Sequence, residues 1–148
     1  MCRGETPASK CRSICSALLG SKGPEGRDEG PYNEDTASHQ DEVVSMYVDL
    51  LSTALDAWVD QLSDDDLLAY ALERRAEMLK AYSRPEMDVY DVIAAEISYD
   101  CALVKLCERQ GMDVSILRFR SPRAERARVE RRLAAFGTNL ASLAKEAG

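Results

Sequence analysis

Histidine is nearly absent from this chain of 148 residues, with His39 the single example. One histidine excludes the paired Glu-x-x-His ligands of carboxylate metal bundles and most imidazole-based acid–base and zinc chemistry. Aromatic residues make up only 6% of the chain, two of them Phe. Ala, Leu and Arg dominate the second half instead, a composition of helices and not of a sheet sandwich. No stretch approaches the roughly 18 to 20 consecutive apolar residues of a bilayer-spanning helix, so no membrane role is expected. The weakly apolar run from Ile14 to Gly20 is shorter and more polar than a secretory core, and no small-residue cleavage site follows it. Glycine-rich phosphate loops, hydrolase elbows and internal repeats are all missing.

The chain is 45% hydrophobic and 30% charged, enough for one domain with its own core and too little for two. Its net charge of −7 is unevenly spread. Residues 1–37 carry five basic and six acidic side chains, residues 38–117 six and seventeen, and residues 118–148 eight and three. An acidic body is therefore followed by a basic terminal segment, a pattern that lets two parts of one chain neutralise each other on folding. The five cysteines are an odd set without the density of a secreted disulfide scaffold, which points to a cytoplasmic protein with reduced thiols. Cys2, Cys11, Cys15 and His39 have the element types of a zinc site but not its spacing, so no metal or other cofactor is expected.

Residues 1–37, rich in Gly, Ser, Pro and mixed charge, lack the apolar surface to offset ordering and read as a disordered leader. The expected fold is all-α: a four- to five-helix bundle over residues 38–148. Ser38-x-x-Asp41 resembles a capping box for a first helix to about Leu62, with Val44, Tyr47, Val48, Leu51, Ala54, Leu55, Trp58 and Leu62 on one arc. Ser63-x-x-Asp66 opens a second helix to Tyr82, with three aspartates in the first turn, where the helix dipole favours them. Leu67, Leu68, Ala71, Leu72, Met78, Leu79 and Tyr82 are its expected core face. With almost no gap between them, these two helices should form an antiparallel hairpin. A third helix is expected from about Pro85 or Met87 to Gln110, ending at Gly111. A connector pinned by Val114, Ile116, Leu117 and Phe119 leads to Ser121-Pro122, the start of a fourth helix to Phe136. A short fifth, capped by Thr138 or Asn139, completes the chain.

Two groups of residues stand out as candidate sites. With Val89 at 0°, Glu96 falls at about 340° and Asp100 at about 20°, in the middle of the third helix's apolar arc. Arg75 falls on the apolar side of the second helix. Buried charges must pair or become neutral. The expected solution is a bridge from Arg75 to both carboxylates, either as a structural polar layer or as a ligand-binding or acid–base site in a bundle pocket. The second group is the run Arg118, Arg120, Arg123, Arg126, Arg128, Arg131 and Arg132, which can dock on the acidic bundle, meet a protein partner or lie on nucleic-acid phosphates. No catalytic set is complete. The leading expectation is a small regulatory or adaptor-type protein acting through a protein partner or as a homodimer, ahead of a nucleic-acid-associated regulator and an enzyme or small-ligand carrier.

Overall fold

The computed structural model describes residues 36–58 and 60–148, the side chains of 36–44 excepted. Five α-helices and one 3₁₀ turn make up the described residues, with no strand: α1 (Thr36–Asp56), α2 (Asp64–Tyr82), α3 (Val89–Arg109), the turn (Ile116–Arg120), α4 (Pro122–Ala135) and α5 (Leu140–Glu146). The leader with Cys2, Cys11 and Cys15, and the side chains of Ser38, His39 and Asp41, lie outside the described residues.

Local chemistry accounts for most of the helix ends. Ser63 Oγ accepts from the backbone N–H of Asp66 at 3.2 Å and donates to its carboxylate at 2.7 Å, capping α2 over its three aspartates. Asp88 caps α3 by accepting from the N–H of Tyr90 at 2.9 Å, so the helix starts at Val89 and not at the proline. Asn139 caps α5 through the N–H of Ser142 at 3.1 Å. Gly111 (φ 69°) and Gly137 (φ 97°) occupy left-handed positions just past α3 and α4. In both places the next residue's N–H reaches back to the helix: Met112 to Cys107 O at 2.8 Å and Thr138 to Leu133 O at 2.9 Å. These are the reverse bonds that close a helix over glycine.

The expected α1–α2 hairpin is not formed. α1 stops at Asp56, a linker carries the chain from Ala57 to Ser63, and α3 lies between α1 and α2. Two clusters share α3. On one side Tyr99, Ala102, Leu103, Leu106 and Cys107 meet Leu67, Tyr70, Ala71 and Met78 of α2, Val129 and Leu133 of α4, and Leu140 of α5. On the other side Ile97, Cys101 and Val104 meet Tyr47, Leu50, Leu51 and Ala54 of α1, and Phe119 from the 3₁₀ turn. Every residue from Ile97 to Val104 is buried, as befits a helix wrapped on all sides. Trp58, just beyond α1, touches both clusters and stands edge-on to Tyr70 at 5.4 Å between ring centroids.

The wrapping of α3 redistributes the expected core. On α2, Tyr70, Arg74 and Ala81 are buried, while Leu79 and Tyr82 are left 45% and 37% exposed. In the connector Phe119 and Met112 are buried, whereas Leu117 faces outward. Arg109, near the end of α3, fastens the α1–α2 linker through Asp60 at 2.6 Å, Asp64 at 2.7 Å and the Leu62 carbonyl at 2.9 Å.

The unequal burial predicts unequal costs of truncation. Phe119→Ala should lower the unfolding free energy by about 3–5 kcal/mol in urea titration, whereas Leu79→Ala should change it by less than about 1 kcal/mol.

Candidate functional site: a buried carboxylate shared by four helices

Asp100 sits at the centre of α3 with no solvent exposure. Periodicity dictates its inward aim, and the charge then dictates its surroundings. Its partner is Arg126 of α4. Arg126 Nε donates to Oδ1 at 2.6 Å and Nη2 to Oδ2 at 2.9 Å, a two-pronged fork that matches the planar carboxylate. The Tyr47 hydroxyl of α1 adds a third bond, donating to Oδ2 at 2.5 Å. Arg126 Nη1 turns the other way, donating to the Tyr82 hydroxyl of α2 at 3.0 Å and standing 3.5 Å from Glu96 Oε1. The Tyr82 hydroxyl in turn donates to Glu96. Side chains from α1, α2, α3 and α4 thus converge on one ion pair.

The sequence-based bridge from Arg75 to Glu96 and Asp100 is overturned. Arg75 Nε instead donates to Glu130 Oε1 of α4 at 3.3 Å, and the Tyr99 hydroxyl donates to the same carboxylate. The reason is register. Tyr82 marks the point on α2 that lies beside Glu96, and Arg75 is seven residues earlier, about 10 Å away along the axis. α4 covers the gap and brings both a cation for Asp100 and an anion for Arg75.

The arginine run divides by environment. Arg126 is buried in the network. Arg128 forks onto Glu125 of its own helix at 2.8 and 2.5 Å, and Arg132 reaches the Asp113 carbonyl at 3.1 Å. Arg118, Arg120, Arg123 and Arg131 are exposed. Sequence reasoning read Arg126 as one of a basic surface. Its signal was present nonetheless: Arg126, Val129 and Leu133 follow the i, i+3, i+7 spacing of a buried helix stripe, and the last two are fully buried. Arg74, missed beside Arg75, is also buried, stacked over the Tyr70 ring at 5.2 Å and paired with Glu77 at 2.8 Å.

Electrostatics follow from this enclosure. Burial pushes the Asp100 carboxyl up to about 6, against the opposing pull of Arg126 and Tyr47. Burial also raises the hydroxyl of Tyr47, with the Asp100 charge beside it adding to the effect. For Arg126, burial opposes the charged form, but the bonds to Asp100 outweigh it and raise its affinity for the proton. The Cys107 thiol, enclosed by apolar neighbours, is pushed up to about 11 and is no nucleophile at neutral pH. Among the described residues no group of three His, Cys, Asp or Glu side chains is arranged to hold a metal ion. Asp100 cannot meet a substrate without the helices separating. The arrangement works as an interhelical lock that selects how the helices assemble.

Two predictions follow from the lock's geometry. Arg126→Met strands a buried charge and should cost about 3–5 kcal/mol of unfolding free energy, Arg126→Lys less, and Arg75→Met only about 1 kcal/mol. Equal losses at the two arginines in urea titration would contradict the assignment. The second prediction concerns pH. Folded Asp100 holds its proton more tightly than the unfolded residue, whose ordinary value is 3.8, so its contribution to stability is present below that value and is lost as pH rises through about 6. Glu125, held low by Arg128, acts in the opposite sense, its contribution falling away as it is protonated in acid. Residue-resolved carboxyl carbon shifts should give Asp100 a midpoint near pH 6, well above the ordinary aspartate value. A midpoint below that ordinary value would refute the dominance of burial.

Comparison with known proteins finds no matching family model, no matching curated protein and no matching solved structure.

Proposed function

We propose that the protein is a small helical interaction module of the regulatory or adaptor kind, without catalysis, working in the cytoplasm. The observation that carries this reading is the pairing of the inward carboxylates of α3 and α4 among the described residues. Asp100 is spent on Arg126 and Tyr47, Glu130 on Arg75 and Tyr99, and Glu125 on Arg128. A catalytic or ligand-binding role for Arg75, Glu96 and Asp100 loses its support, since Arg75 belongs to a different pair and Asp100 has no surface. What the bundle offers to its surroundings is helix exteriors, and no helix among the described residues is long and apolar enough to cross a membrane.

One observation favours a second reading. Arg118, Arg120, Arg123 and Arg131 are exposed and make no ion pair among the described residues, and phosphates are natural acceptors for such groups. The strongly acidic remainder opposes approach of a polyanion, which ranks this reading second.

One experiment separates them. Affinity capture from lysate with mass spectrometry, run beside a salt titration of DNA and RNA binding, should retain a defined protein partner or a homo-oligomer and show no nucleic-acid binding at low salt. Nucleic-acid binding that weakens steeply with salt would replace the interaction reading with the second.

A further inference from the structure

α2 and α4 both pack on α3 but not directly on each other, and long side chains span the space between them. At one end Arg75 of α2 meets Glu130 of α4 at 3.3 Å. At the other the Tyr82 hydroxyl accepts from Arg126, and the Arg123 guanidinium stands over the Tyr82 ring at 5.2 Å. The two helices therefore run antiparallel along one seam, with Arg75 facing Glu130 and Tyr82 facing Arg123.

The middle of this seam follows from spacing. Leu79 is four residues after Arg75 and three before Tyr82, so it shares their side of α2. Ala127 stands in the same relation to Arg123 and Glu130 on α4. Between the two bridges, which are about 10 Å apart along the helix axes, Leu79 faces Ala127. A methyl group is too short to cover a leucine across helices that do not pack on each other. Leu79 is left 45% exposed and Ala127 is exposed as well, so the seam has an apolar opening at its midpoint.

The edge of the opening is positive. Arg123 and Arg131 sit one turn to either side of Ala127, eight residues and about 12 Å apart. Neither makes an ion pair among the described residues. Arg131 folds back onto the Ala127 carbonyl at 3.3 Å, which keeps it beside the opening. Glu130, the acidic residue on this flank of α4, is held by Arg75 and by the Tyr99 hydroxyl. An apolar centre with a cation on each side calls for the inverse pattern in a ligand. A helix supplies it simply: carboxylates seven or eight residues apart span about 10–12 Å, and the residue midway between them projects from the same face.

We propose that this opening is the docking site for an amphipathic helix of a partner protein that presents a large apolar side chain between two carboxylates, each one turn away. The apolar side chain covers Leu79 and Ala127, and the carboxylates pair with Arg123 and Arg131. Nucleic acid fits less well. Leu79 and Ala127 offer a phosphate nothing, Arg123 already stands over the Tyr82 ring that a base would stack on, and the acidic body repels a polyanion. The inference rests on the interaction-module reading and supplies the chemistry of its partner.

The probe is a displayed library of random helical peptides of about four turns, selected on the full chain and measured by fluorescence anisotropy. Enriched peptides should carry Leu, Ile, Met or an aromatic residue with Asp or Glu one turn before and one turn after it. Arg123→Glu with Arg131→Glu should weaken their binding about tenfold or more, and Ala127→Phe, which fills the opening, should do the same. Arg131→Glu alone should weaken it about threefold or more. Arg118→Glu, an equal change in charge beside Glu125 on the other flank of α4, should leave it within about twofold. Circular dichroism and urea titration should show every variant folded. Failure to enrich any binder overturns the proposal, as does enrichment of peptides without flanking acids or binding indifferent to both the reversal and the filled opening. RNA or DNA binding at low salt that the reversal removes, or self-association that it removes, gives the opening a different occupant and overturns the proposal too. A lysate partner retained equally by the unaltered chain and by the reversal removes this surface while leaving the interaction module standing.

Discussion

A carboxylate with no access to water, at the centre of the most enclosed helix, sets the terms for the rest of the molecule. An isolated ionised Asp100 in that position is untenable, since losing hydration costs several kcal/mol unless a cation and further donors replace the water. Arg126 and Tyr47 replace it, and Arg126 arrives with α4 behind it. The docking of α4 is therefore a matter of charge as well as of Val129 and Leu133 packing. Burial raises the Asp100 carboxyl against the pull of Arg126 and Tyr47, and the cost of taking both charges out of water offsets much of their attraction. The pair's physical role is selection: an alternative packing of α4 strands a charge, while an alternative packing of leucines only rearranges them.

The same logic accounts for the uneven charge along the sequence. An acidic body and a basic terminal segment are a liability when extended and an advantage when folded against each other. The folded chain uses this at two depths. Arg126 with Asp100 and Glu96, and Arg75 with Glu130, join helices in the interior. Arg109 with Asp60 and Asp64 fastens a linker at the surface, where water screens the pairs and each contributes little. Some charge is not consumed in this way: Asp49 and Asp56 on α1 and Arg123 and Arg131 on α4 are exposed and make no ion pair among the described residues.

Much of the fold was legible from local rules. The caps at Ser63 and Asn139, the stops at Gly111 and Gly137 and the proline opening of α4 depend on residues within a turn of each other, where a single stretch of sequence holds all the information. The inward aim of Asp100 was readable for the same reason, being a property of one helix's periodicity. The expected exposure pattern failed at Leu79, Tyr82 and Leu117. The width and direction of a buried arc depend on how many neighbours a helix has, and α3 takes the central place that a hairpin of α1 and α2 would have denied it.

By itself, then, the chain's order of residues determined that helices form, roughly where they begin and end, and that carboxylates point into the interior. Only the tertiary structure decided which cation answers them. Arg75 and Arg126 are equally good arginines, each on the inner side of its own helix. The antiparallel register of α2 on α3 holds the first out of reach, while α4 brings the second directly onto Asp100. Helix periodicity is written over a few residues, but pairing between helices is set by their relative translation and order of packing, which no local pattern encodes.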